Sequence, residues 1–505
     1  MKKLFALCLV SLALLTGCKS TPKVPDSSTP VKETVRIYPD YRDIVIPPNI
    51  APLNIQVQSA GQAFVATFDG GGMQVVAGSN DGNTLKIDST AWRQMLDKTR
   101  GQSVRVTVYA RRDGGWVRFP AYTLEVAREP IDRYLSYRLI EPGYEIYRQL
   151  GLYQRDLTSF DVHTIYENNR TFDNDNNHCI NCHNYQNYST RRMLFHVRSN
   201  HGGTLIADEN GIRKMNVNCD SILASAVYPS WHPRRKWIAF SSNKTGQAFH
   251  LIDPQKVEVL DEAADLIFYD AEQGTVRNIL KTESDFETFP CWSPDGRKLY
   301  YCVAHVPQLD ALPDSLHQSY LLNHYDSLCN DIMSLSFDER TQQFGTPQLE
   351  VDCNALGKSA TVPRVSPDGR YLLFTLGDYG QFHIWHKSAD LYVKDLKNGQ
   401  VRPLTEANSP DAESYHTWSS NGRWIVFSSR RDDGSYTRPY IAYFDTAGNA
   451  HKAFLLPQED PEQNLLLLKS YNVPELSTDA VPYSADEFRE VIYDDTNVEQ
   501  AKFIR

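Results

Sequence analysis

Residues 178–183 read HCINCH, placing two cysteines and two histidines within six residues of a 505-residue chain that has nine cysteines in all. Polar runs flank the motif, NNRTFDNDNN before it and NYQNYST after it. Thiols and imidazoles at this spacing can hold a metal ion, cycle as a dithiol, or carry a covalently attached cofactor. Which chemistry applies depends on the compartment the chain reaches.

The order Cys179-Ile180-Asn181-Cys182-His183 is the CxxCH spacing of c-type haem attachment. Two thiols separated by two residues add to the two vinyl groups of one haem, and the adjacent His183 is placed to bind iron as the proximal ligand. With this composition, a chance CxxCH is roughly a 1-in-200 event. The rivals fit less well. Structural zinc asks for four ligands, usually from a second CxxC or HxxxH pair, and His178, Cys179, Cys182 and His183 are crowded for one ion. A thioredoxin-like dithiol belongs at a helix start in a βαβ unit, and no such pattern surrounds the motif. A disulfide between Cys179 and Cys182 is strained.

The expectation is one covalent haem c on Cys179 and Cys182, with His183 on the iron. Candidates for the opposite axial ligand follow in YSTRRMLFHVRSNHGGT: Met193, His196 and His201. A methionine would raise the potential and a second histidine would lower it. Core packing of Met193, or an open iron position, is the alternative.

The compartment is read from the start, MKKLFALCLVSLALLTGCKS. Two lysines precede an apolar run from Leu4 to Leu15, shorter than the roughly 20 residues that span a bilayer, so it reads as a secretory signal. Leu15-Thr16-Gly17-Cys18 resembles the lipobox of bacterial lipoproteins. That resemblance implies cleavage after residue 17, acylation of Cys18, and a membrane held through an N-terminal lipid anchor. Residues 18–33, rich in Pro, Ser, Thr and Lys, read as a flexible tether. The expected location is the cell envelope, at the outer membrane and facing the periplasm, where covalent haem attachment takes place.

Roughly 470 residues remain, enough for two or three domains. A formal charge of −10 argues against nucleic acid, which needs a basic footprint. From residue 34 to 128, runs such as SVRVTVYA, AFVATFDG and YTLEVARE alternate between turns (DGGG, NDGN, RDGG), predicting an Ig-like β-sandwich. No catalytic constellation is visible there. Residues 129–177 are a mixed connecting segment.

Beyond the cysteine motif the chain repeats. YPSWHPRRKWIAFSS, FPCWSPDGRKLYYC, VPRVSPDGRYLLFT and YHTWSSNGRWIVFSS share an aromatic or apolar residue, a tight turn, a basic residue and a strand. Their equivalent positions Trp231, Trp292, Val365 and Trp418 lie 61, 73 and 53 residues apart. A second hairpin follows each, giving the four strands per repeat of β-propeller blades. STRRMLFHV with TLIADENGIRKMN supplies an irregular further copy.

These units resemble the TolB-like propeller repeat, over residues 180–460. The resemblance implies an all-β protein with five or six blades, six preferred. The sixth is expected from residues 140–170, with the segment 461–505 available to close the ring. TolB-like repeats also occur in prolyl oligopeptidase relatives, but the chain has no GxSxG. The stretch 178–204 further resembles bacterial proteins that join such a propeller to one CxxCH segment, through CxNCH, the MLFH-type strand at Met193–His196 and the turn Gly202-Gly203-Thr204. This implies a cell-envelope cytochrome.

The leading expectation is therefore electron transfer with other envelope redox proteins, without a catalytic site. One alternative is a periplasmic binding or assembly module in which haem is structural or absent. Another is a haem enzyme of peroxidase or reductase type. Cys329 and Cys353 flank the hairpin DIMSLSFDERTQQFGTPQLEV and are expected to form a disulfide.

Overall fold

The computed structural model describes residues 23–80, 82–141, 150–168, 177–250 and 257–505. The signal segment 1–17 and Cys18 lie outside the described residues.

The repeat builds six sheets around an axis. In chain order their innermost strands are His178–Gln186, Ala226–Trp231, Asp285–Trp292, Ser359–Val365, Glu413–Trp418 and Ser470–Ser477. Each touches its neighbour, and Ser470–Ser477 touches His178–Gln186, so the ring closes at six blades. Closure joins distant segments: Ser470–Ser477 pairs with Tyr134–Ile140, followed outward by Leu150–Asp156 and Val162–Glu167. The connecting segment and the C-terminal segment thus share one blade. Short parallel strands Val498–Gln500 and Lys502–Phe503 then extend the two blades that follow it.

Local chemistry explains the repeat. In SPDG, Ser293 Oγ donates to Asp295 Oδ1 at 2.6 Å, Arg297 N donates to the same carboxylate oxygen at 3.1 Å, and Lys298 N donates to Ser293 Oγ at 2.9 Å. Gly296 takes φ +66, which a side chain would strain. Ser419, Asn421 and Trp424 rebuild the same reversal at 2.7–3.0 Å, with Asn in place of Asp. The strands beyond these turns, such as Tyr371–Gly377 and Trp424–Ser429, are buried on both faces.

Before the propeller, a seven-stranded sheet and a three-stranded sheet (Ile37–Tyr38, Ile55–Val57, Thr84–Leu85) share a core. The period-two expectation for residues 34–128 missed an element: Ser89–Thr99 is an α-helix. Asp88 caps it, accepting from Ala91 N at 2.8 Å, and Trp92, Met95, Leu96 and Thr99 form its buried face at helical spacing. The same core continues into the fifth blade through Trp424, whose Nε1 donates to Glu129 O at 3.1 Å.

The expected disulfide is not formed; Cys329 and Cys353 are separate thiols. Ile332 faces Val351 across the hairpin, so continuing the ladder sets Asn330 rather than Cys329 opposite Cys353. That one-residue offset turns the two side chains to different faces.

Candidate functional site

All six innermost strands carry the same irregularity. Each has a register break, and at it a non-glycine residue adopts left-handed φ: Cys182 (50), Tyr228 (47), Phe289 (53), Val362 (54), Tyr415 (49) and Val473 (49). A β-bulge of this kind re-aims the side chains around it. The next residue is proline in four blades (Pro229, Pro290, Pro363, Pro474) and histidine in two, His183 and His416. Proline is tolerated there because these strands are edges, with no partner on the axial side.

The HCINCH stretch is thus the innermost strand of a blade, not a segment preceding the propeller. In a regular strand, residues 179 and 182 would point to opposite faces, as would 182 and 183. The bulge between Asn181 and Asn184 breaks that alternation, and Cys179, Cys182 and His183 all line the central cavity. Cys179 and Cys182 are free thiols, not a disulfide. Asn181 Oδ1 fixes the bulge by accepting from Cys182 N at 2.9 Å and from Arg138 Nη1 at 2.7 Å. Arg138 also donates to Ile180 O (2.9 Å) and to Asn472 Oδ1 (3.1 Å), tying the motif to the closing blade.

His183 is 3% exposed, and among the described residues neither ring nitrogen has a hydrogen-bond partner. Its nearest polar group is Glu475, with Oε2 3.7 Å from Nε2, beyond hydrogen-bond range. Glu475 Oε1 instead accepts from Asn184 Nδ2 (3.0 Å) and Tyr185 N (3.1 Å). Burial lowers the His183 pKa to about 3 and raises that of Glu475 to about 8, so both are neutral at neutral pH. Burial also pushes the Cys179 thiol up, against the opposing pull of Arg138 and Arg198. An uncharged imidazole is the form that binds metal ions.

The cavity has a volume of about 1130 Å³, slightly above the roughly 300–1,000 Å³ usual for cofactor sites. Aromatic rings dominate its wall, among them Trp231, Trp292, Trp418, Tyr228, Phe289 and Tyr415. The indole N–H groups of Trp231 and Trp292 have no acceptor among the described residues. Arg138, Arg198 and Arg364 bring positive charge to the same space.

The three candidates for the second axial ligand are elsewhere. Met193 is fully buried in the apolar core of the motif's own blade. The His196 ring bonds through Nδ1 to Thr204 Oγ1 at 2.7 Å and packs on Phe240. His201 Nδ1 lies 2.7 Å from Asp495 Oδ2, and its ring packs on Tyr493. None of the three lines the cavity. Among the described residues no group of three or more His, Cys, Asp and Glu side chains is gathered for a metal ion.

Arg138, Arg364 and Glu475 were not anticipated from sequence. Aligning Cys182-His183 with Tyr228-Pro229, Phe289-Pro290 and Val362-Pro363 is the signal that places HCINCH on an innermost strand, and with it these channel neighbours.

No protein-family model and no curated protein matches the chain. Among solved structures, the chain is similar to an oligogalacturonate lyase in complex with manganese, at 12% identity and TM-score 0.35, over 64% of this chain and 74% of that one. It is also similar to the β-propeller domain of the Trilobed protease from Pyrococcus furiosus, at 13% identity and TM-score 0.33, over 71% of this chain and 95% of that one.

Proposed function

We propose that this chain is a c-type haem protein of the cell envelope, with one haem enclosed in the propeller channel. Cys179 and Cys182 would carry the thioether links and His183 the iron. The observation that carries this reading is the buried, neutral His183 ring, with both nitrogens unpaired, in the same cavity as two free thiols. A buried polar group without a partner costs about 1–3 kcal/mol, which coordination would offset. Arg364, in the same cavity wall, would pair with a carboxylate of a bound porphyrin. When bound, such a haem supplies one-electron redox chemistry. The chain's own part would be to hold the imidazole in one orientation and surround the porphyrin with aromatic rings. Cys18 would supply the lipid anchor, and other envelope redox proteins would be the partners for electron exchange.

A second reading takes the cavity itself as the binding site, without haem. Its aromatic wall favours a flat ligand. One experiment separates the two. The full chain is expressed with a cytochrome maturation system, and the mature polypeptide is weighed by mass spectrometry and stained for haem. One added haem, lost in Cys182→Ala and in Cys179→Ala/Cys182→Ala, is the expected result. An unchanged polypeptide mass in the parent chain would overturn the haem reading and leave the binding module.

A further inference from the structure

The proposed haem site is asymmetric in what the chain offers the iron. All fourteen histidines and five of the six methionines fall among the described residues, the sixth being Met1. Of these, His183 alone lines the cavity, and no methionine does. The other buried imidazoles near the ring are committed elsewhere. His416 turns to Thr375, with Nδ1 3.3 Å from Oγ1, and His383 meets Thr361 Oγ1 at 3.0 Å. His386 Nε2 lies 3.3 Å from Glu258, and His232 is held by Gly296 O between Trp237 and Trp292.

What lines the cavity instead are phenols, Tyr188, Tyr228 and Tyr415 among them, the carboxyl groups of Glu141 and Glu475, and the thiol of Cys291. None of these is a histidine or a methionine, the side chains that complete the six-coordinate haems of electron carriers. The cavity also reaches solvent: Phe249, part of its wall, is 68% exposed. It ends the strand Trp237–Phe249, which pairs with Val257–Asp270, and both strands contribute to the cavity wall.

We infer that this chain gives a channel-bound haem one strong axial ligand, His183, and leaves the opposite face to a small exogenous ligand that enters past Phe249. The inference rests on the haem reading above. The ligand class is a diatomic molecule or a small anion, because the wall is apolar with guanidinium groups set into it. The chain then belongs with ligand-binding haem proteins, of sensor, reductase or peroxidase type, rather than with six-coordinate electron carriers.

The test uses full-length holoprotein in which mass and the pyridine haemochrome spectrum have first established the covalent haem. Without added ligand, the ferrous protein is expected to be five-coordinate and high-spin, and to bind carbon monoxide stoichiometrically. The ferric protein should bind cyanide. Met193→Leu, His196→Gln and His201→Ala should leave the visible spectrum as it is. A low-spin, six-coordinate ferrous spectrum that carbon monoxide does not change would overturn the inference, with the haem reading still standing. So would a spectral shift in any of those three variants. Absence of added haem mass would remove both.

Discussion

His183 and His416 hold the same station in two blades, each following a left-handed residue on an innermost strand, yet their rings meet opposite surroundings. His416 is fully buried, with Nδ1 3.3 Å from Thr375 Oγ1. His183 belongs to the cavity wall, and both of its ring nitrogens are buried and unpaired among the described residues. Replacing each should therefore do different things. If the proposed haem is present, His183→Ala is expected to keep it attached and change its visible spectrum, with little loss of stability. His416→Ala should leave the spectrum alone and cost about 1–3 kcal/mol, as for other buried hydrogen-bonded groups. Spectra and urea midpoints of the two proteins check both halves, and a spectral change in His416→Ala would contradict the assignment.

Ring closure rests on Ser470–Ser477, where Leu476 is fully buried. Leu476→Ala should destabilise the chain by about 2–5 kcal/mol, the usual cost of a large-to-small change in a core. Leu466, nearby in sequence, is 76% exposed. Leu466→Ala should change stability by no more than about 0.5 kcal/mol. Equal urea midpoints for the two variants would argue against closure by this strand.

Arg438 is 1% exposed and donates to the carbonyls of Thr437, Asn464, Leu467 and Lys469 at 2.7–3.2 Å. It fixes the segment that leads into the closing strand. Arg438→Lys should fail to substitute, because one ammonium cannot match a planar fork spread over four carbonyls. The expected cost is about 2–4 kcal/mol, accompanied by faster proteolysis within residues 460–470. Wild-type protease resistance in the lysine variant would refute this.

Glu287 lies on an innermost strand, with Oε1 accepting from Thr282 Oγ1 at 3.1 Å and Oε2 unpaired among the described residues. Burial, with Asp265 and Asp285 nearby, raises its pKa from 4.5 to about 8. Between those values the folded chain holds a proton that the unfolded chain releases. Its contribution is therefore fully present below about pH 4.5 and is lost as pH rises through about 8. Glu287→Gln copies the neutral form. It should match the parent near pH 5 and exceed it by about 2–3 kcal/mol near pH 8. Denaturant midpoints at the two pH values test the sign; a gain confined to low pH would reverse it.

Much of the fold was legible because its causes are local. SPDG reads as a reversal since its Ser, Asp and Gly meet within six residues, and the flanking apolar runs show their burial directly. The helix Ser89–Thr99 was missed although Trp92, Met95 and Leu96 stand at helical spacing, because the strands around it dominated the period. The Cys329–Cys353 pairing failed on a one-residue register offset, which no turn sequence reveals.

What the chain's residues settle unaided is the presence of two thiols and an imidazole at haem-attachment spacing, and a repeat whose strands need partners. Tertiary structure decided the rest. Pairing of Ser470–Ser477 with Tyr134–Ile140, across more than three hundred residues, closes the ring and so creates the cavity. The bulge at Cys182 then turns three side chains into it, while the blade core and neighbouring elements take Met193, His196 and His201 away. The physical reason is that side-chain direction depends on register and on which strand is innermost. Both are set by long-range pairing rather than by the identity of neighbouring residues.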